Sequence, residues 1–144
     1  MKDADCIYCQ EYSEGQQIGD FGIKICDLEN SAIYLFREQS HPGRLIVSAK
    51  EHVRDLTEMT PAQRAGFFDD MAKAAEVMHR LFHPDKINFG AYGDLVVHMH
   101  YHLVPKYKDQ FEWGDVFAMN PRAKYLSPEE YSTLIAKIKR ELLK

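Results

Sequence analysis

His98-Met-His-Tyr-His-Leu-Val104 is the stretch on which the fold turns. Imidazoles alternate with apolar side chains, and a period of two is the mark of a half-buried β-strand. On such a strand His98, His100 and His102 share one face, while Met99, Tyr101 and Leu103 enter a core on the other. Same-face neighbours then stand roughly 6–7 Å apart, close enough to serve one small ligand, one phosphate or one metal ion. Three of the seven histidines converge on this patch.

The segments on either side supply the rest of an α+β domain. Phe21 to Cys26 and Ser31 to Phe36 are β-type runs joined by the turn-forming Asp27-Leu-Glu-Asn30. After a turn at His41-Pro-Gly43, Arg44 to Ala49 forms a third strand. Thr60, Pro61 and Gln63 are an N-cap, a first helical residue and a capping-box partner. Phe67, Met71, Ala75, Met78 and Phe82 then recur at helical spacing down to His83-Pro84. Lys86 to Ala91 is a short strand, and Val96 to Pro105 is the histidine strand. Gln10 to Gly19 reads as polar loop and Trp113 to Pro121 as ordered loop. Ser127-Pro-Glu-Glu130 opens a last amphipathic helix ending near Leu143. The expectation is one domain over residues 1–144, with a five-stranded antiparallel sheet packed on one long helix and a C-terminal helix beside it.

At 144 residues with a formal charge of −4, the chain offers no general basic field for a nucleic acid polymer. A local pocket can still be basic enough for a nucleotide. The N-terminus has no apolar signal core and no run reaches membrane-span length, so a cytoplasmic protein with no membrane partner is expected.

Cys6, Cys9 and Cys26 are odd in number, which argues against a disulfide framework. Cys6-Ile-Tyr-Cys9 has the spacing of a zinc site or a dithiol redox centre, but it precedes any strand–helix unit, which favours zinc. His52, at the end of the third strand, and His98, at the start of the histidine strand, come together if those strands are antiparallel neighbours. Cys6, Cys9, His52 and His98 are thus a reasonable set of four, and four protein ligands make a structural rather than a catalytic ion. The bland alternative is a chance cysteine pair at a chain end with His52 simply exposed. A His₃ metal site and mere surface decoration also stay open for the three histidines.

If His98 is engaged by metal, the open chemistry falls to His100 with His102 beside it. A neutral imidazole can attack phosphorus when a backbone carbonyl fixes its other nitrogen. Other groups have plainer readings. His79 and His83 sit in the last turn of the long helix, Cys26 is a buried thiol, and Lys106, Lys108, Lys137, Lys139 and Arg140 are solvated charges.

These residues resemble the histidine triad (HIT) family, whose signature His-φ-His-φ-His-φ-φ (φ apolar) is matched at every position of 98–104. Pro42-Gly-Arg-Leu-Ile-Val-Ser-Ala-Lys-Glu-His52 is similar to that family's upstream strand, and the resemblance spans roughly residues 4–120. It implies a nucleotide-binding homodimer that hydrolyses or transfers at an α-phosphate through a covalent nucleotidyl-histidine. The implied nucleophile is His100, with His102 assisting the phosphoryl or leaving group and Asn88 anchoring the phosphate region. It also implies structural zinc on Cys6, Cys9, His52 and His98. Two departures stand out. Arg44 replaces a histidine common in the family and could hold phosphate, and Gly93-Asp94-Leu95 replaces a Gly-Gln-Ser/Thr stretch, placing Asp94 beside the substrate. Expected activities are hydrolysis of nucleoside phosphoramidates or dinucleoside polyphosphates, nucleotidyl transfer to a phosphate acceptor, or nucleotide binding with little turnover.

Overall fold

The computed structural model describes residues 2–144. Alternating apolar segments pair into a single sheet of six strands, in the order β1-β2-β3-β4-β6-β5. They are β1 (Gln17–Ile18), β2 (Gly22–Asp27), β3 (Ser31–Phe36), β4 (Leu45–Ala49), β5 (Lys86–Gly90) and β6 (His100–Lys106), and every pairing is antiparallel. Helix α1 (Pro61–Phe82) links β4 to β5, and α2 (Pro128–Leu142) closes the chain. Both helices start with complete capping boxes, Thr60 with Gln63 and Ser127 with Glu130. No helix among the described residues is long and apolar enough to cross a membrane.

The α+β architecture agrees with the sequence, with three local differences. β1 is a sixth strand inside a stretch read as loop. At two residues it is too short to show a period, yet Ile18 is fully buried and pairs with Gly22. The histidine strand begins at His100 rather than Val96, because the N–H of the residue before it bonds beyond the end of β4. Met99 donates its N–H to the Val53 carbonyl at 2.8 Å and accepts from the Ala49 N–H at 3.0 Å. On α1 the buried stripe is Phe67, Met71, Ala74, Val77 and Met78, so Ala74 rather than Ala75 faces the sheet.

The two faces of the sheet have different tasks. One packs Ile33, Leu35, Leu45, Val47 and Leu103 against α1 and α2 in the main core. Each large apolar side chain buried there contributes about 1.5–3 kcal/mol. Asp70, buried on the α1 face, accepts from the Asn30 N–H at 2.8 Å and from the Ser31 hydroxyl at 2.7 Å, tying the helix to the β2–β3 hairpin. The opposite face carries a smaller apolar cluster of Tyr8, Ile18, Tyr34, Phe36 and Ile46, and beside it the histidines. Pairing of β4 with β6 sets Ser48 across from His100 and Ile46 across from His102, while Gly90 of β5 flanks His102 on the other side. The entry to β4 turns at Gly43, whose φ of 90° lies in the left-handed region. A Cβ there would stand 2.6 Å from the Phe82 ring, so glycine is required by both torsion and space.

Candidate functional site

The N-terminal segment folds over the sheet and brings its two cysteines to His52 and His98. The donor atoms of Cys6, Cys9, His52 and His98 all lie within 4.8 Å of one another. His98 Nδ1 is 3.5 Å from Cys6 Sγ, 3.5 Å from Cys9 Sγ and 3.3 Å from His52 Nδ1, and Cys9 Sγ is 3.3 Å from His52 Nδ1. A tetrahedral ion with metal–sulfur bonds of about 2.3 Å and metal–nitrogen bonds of about 2.0–2.1 Å places nitrogens about 3.3 Å apart and nitrogen–sulfur pairs about 3.5 Å apart. The donor set fits such a centre in both type and spacing. His98 Nε2 donates to the Ala49 carbonyl at 2.6 Å, which fixes the tautomer that turns the Nδ1 lone pair toward the other three donors.

The neighbouring imidazoles are oriented differently. His100 Nδ1 lies 2.6 Å from the His98 carbonyl, and a carbonyl only accepts. The His100 proton therefore sits on Nδ1, leaving the Nε2 lone pair free. Burial holds this ring below the ordinary imidazole range, so it is neutral. Tyr8, between the two cysteines, lays its ring 4.7 Å from that of His100 and 5.6 Å from that of His98. His102 has the opposite tautomer. Its Nδ1 faces Arg44 Nη2 at 3.0 Å, and a guanidinium only donates, so the His102 proton is on Nε2. Burial first, then the Arg44 charge and His100, pull His102 down to about 3.

Arg44 is fully buried behind this ring. Its Nη1 donates to the Ala118 carbonyl at 3.0 Å and its Nη2 to the Met119 carbonyl at 2.8 Å. The guanidinium carbon sits 4.0 Å from the Phe36 ring centre and 4.9 Å from that of Phe117. Burial lowers its pKa to about 10, which leaves it charged at neutral pH.

A family model described as HIT domain matches residues 23–109, well over half of the chain. The chain belongs to the histidine triad family. A histidine triad protein from Bradyrhizobium japonicum superposes with a TM-score of 0.78 at 17% identity, over 85% of this chain and 92% of that one. A zinc-bound histidine triad family protein from Mycobacterium smegmatis gives a TM-score of 0.61 at 23% identity, over 83% of each chain. In sequence, the chain is 26% identical over 91 residues to the bis(5'-nucleosyl)-tetraphosphatase [asymmetrical] of Schizosaccharomyces pombe, an alignment covering 60% of this chain. The chain spans only 50% of the length of that relative.

Within this histidine triad site the remaining sequence-marked residues are spread out. Asn88 is half-buried on β5, opposite Val104, and lines a cleft of about 340 Å³ with Phe89, Tyr92 and Phe117. The Phe117 ring, on the lining of that cleft, has its centre 6.1 Å from that of His102. Asp94 and Leu95 are exposed on the loop that leads from β5 to His98, with Leu95 97% exposed. A larger groove of about 570 Å³ between β2 and α2 contains none of the histidines.

Two features escaped the sequence reading. Lys106, read there as solvated, is buried and donates to the carbonyls of Glu112 at 2.8 Å and Asp115 at 2.6 Å. Glu112 in turn meets His41 Nε2 at 2.7 Å and the Ala118 N–H at 2.8 Å, fastening the strap that carries the Arg44 acceptors. Charge periodicity carries no sign of this, because the partners are backbone atoms of a non-repetitive loop. Tyr8 was legible in principle, since a residue between the two cysteines is placed wherever they are.

The His102 environment sets a pH dependence. In the folded protein it stays neutral down to about 3, whereas in the unfolded chain it protonates near its ordinary 6.5. Between those values the unfolded state binds the extra proton, so stability falls as pH drops through that window, by up to about 1.4 kcal/mol per pH unit. His102→Gln removes this component. The difference between the wild-type and His102→Gln unfolding free energies is expected to shrink steadily from neutral towards acid pH, and a difference independent of pH would contradict it.

Proposed function

We propose that the chain is a nucleotide-binding hydrolase that acts at the α-phosphate of dinucleoside polyphosphates or nucleoside phosphoramidates through a covalent nucleotidyl-His100 intermediate. The observation that carries this reading is the 2.6 Å bond from His100 Nδ1 to the His98 carbonyl. It leaves one neutral, half-buried ring with its lone pair on the outward nitrogen. The name of the S. pombe relative, a dinucleoside tetraphosphatase, supports the same substrate class.

In this mechanism His100 Nε2 gives its lone pair to the α-phosphorus as the bond to the leaving group breaks in line. His102 Nε2–H donates to a phosphoryl oxygen, stabilising charge as it spreads over the equatorial oxygens. Water then attacks the phosphorus, the P–N bond breaks with its electron pair returning to His100, and the water's proton passes to solvent. The product is a nucleoside monophosphate. Asn88 contacts the bound nucleotide from the cleft wall, Arg44 acts from behind His102, and Asp94 borders the nucleoside side, since a carboxylate repels phosphate.

Cys6, Cys9, His52 and His98 hold zinc in this reading. Two sulfurs and two imidazoles at tetrahedral spacing suit that ion, and the M. smegmatis protein is zinc-bound. Four protein donors complete its coordination, so it supplies structure and no step at phosphorus. The working form is a homodimer joined at β5, the last strand of the sheet order, which presents Phe89 and is flanked by exposed Tyr92 and Val116. The site of action is the cytosol, where three cysteines stay reduced.

Incubation with a dinucleoside tetraphosphate is expected to add one nucleoside monophosphate to the His100 peptide, detected by mass spectrometry. His100→Gly should show no adduct and a loss of turnover of roughly 10³-fold or more. Wild type without adduct or product would overturn the proposal. Elemental analysis should find one zinc per chain, lost with a lower Tm in Cys9→Ser, and full zinc retention in that variant would remove the assigned ligand set. Sedimentation should give the mass of two chains for wild type and of one chain for Phe89→Glu. A monomeric wild type would exclude the β5 interface.

A further inference from the structure

Two buried nitrogens fix the tautomer of the ring beside His100. Arg44 Nη2 donates to His102 Nδ1 at 3.0 Å, so the one proton of the neutral ring is on Nε2. Arg44 has no freedom to withdraw. Two backbone carbonyls of the strap hold its terminal nitrogens, and Phe36 and Phe117 lie against its plane. Among the described residues no carboxylate stands within 4.0 Å of it, and Glu38 and Glu112 act on its charge only from farther away. The other groups packed on His102 offer no counter-charge: His100 from β6, Phe36 from β3 and Phe117 from the strap. A second proton on His102 would set two cations in contact inside the protein.

We infer that Arg44 is a positioning residue that holds His102 as a fixed, neutral Nε2–H donor, and that the site is thereby suited to phosphoanhydride bonds rather than phosphoramidate bonds. This inference rests on the His100 mechanism proposed above and narrows its substrate class. In an anhydride, His100 Nε2 bonds to the α-phosphorus, the bridging P–O electron pair goes to oxygen, and a phosphate or nucleotide anion leaves without a proton. In a phosphoramidate the P–N pair goes to nitrogen, which must gain a proton as it leaves. An imidazolium at position 102 would provide one. The neutral ring has only its Nε2 proton to give and would become an imidazolate beside developing negative charge. The His100 adduct escapes this limit, because its Nδ1–H makes the ring cationic and it departs as a neutral imidazole.

The test compares kcat/KM for a dinucleoside tetraphosphate with that for an adenosine 5'-phosphoramidate of a primary alkylamine. Wild type is expected to favour the anhydride by about 100-fold or more, and Arg44→Met to narrow that ratio by about tenfold as the phosphoramidate rate gains an acid limb in its pH profile. Arg44→Lys, which keeps a charged donor, should restore the preference. Nitrogen-15 spectra of the wild-type imidazoles should show His102 as an Nε2–H ring from about pH 8 to about pH 5, and these decide the matter even where Arg44→Met fails to fold. Equal or faster phosphoramidate turnover, or His102 titrating in that range, overturns the inference and leaves the covalent mechanism standing. Turnover of neither substrate, with no His100 adduct, removes both.

Discussion

His98 is the residue on which both centres depend. Its side chain uses one nitrogen for the donor cluster and the other for the Ala49 carbonyl, and its own carbonyl accepts from His100. One residue thus joins the N-terminal segment, the end of β4 and the start of β6. A shift of this residue would alter the geometry of the donor cluster and the direction of the His100 lone pair together. Tyr8 gives the same coupling through packing, since it is held between the two cysteines and rests on both rings.

The two remaining imidazoles show how environment differentiates identical side chains. His100 receives a hydrogen-bond acceptor at Nδ1, and His102 receives a donor there. The proton is forced to opposite nitrogens, so one ring presents a lone pair outward and the next presents an N–H. Spaced two apart on one strand, they set a lone pair and an N–H side by side. Neither assignment needs a nearby carboxylate. A carbonyl and a guanidinium suffice.

Much of this was legible from residue order. The alternation of 98–104 gave the strand and its core side, and the capping boxes at Thr60 and Ser127 marked both helix starts. The Cys6, Cys9, His52 and His98 grouping followed from C-x-x-C spacing plus antiparallel neighbours, and the four do converge. The placement of Arg44 was not legible. Its residue type permitted a surface phosphate contact as readily as a buried support, and only the strap, packed through Glu112, Lys106 and backbone carbonyls, encloses it. Long-range contacts between a side chain and an irregular loop leave no periodic trace. β1 was missed for a similar reason, because two residues define no period and only the burial of Ile18 reveals the strand.

The donor cluster also has a bearing on how the chain is made. Cys6 and His98 are 92 positions apart, and Cys9 and His52 are 43 apart. During vectorial synthesis the two thiols leave the ribosome long before their last imidazole partner. Until then they form an exposed pair in the growing polypeptide. Closure of the cluster therefore requires that the start of β6 has docked, and the fourth donor arrives only with that strand.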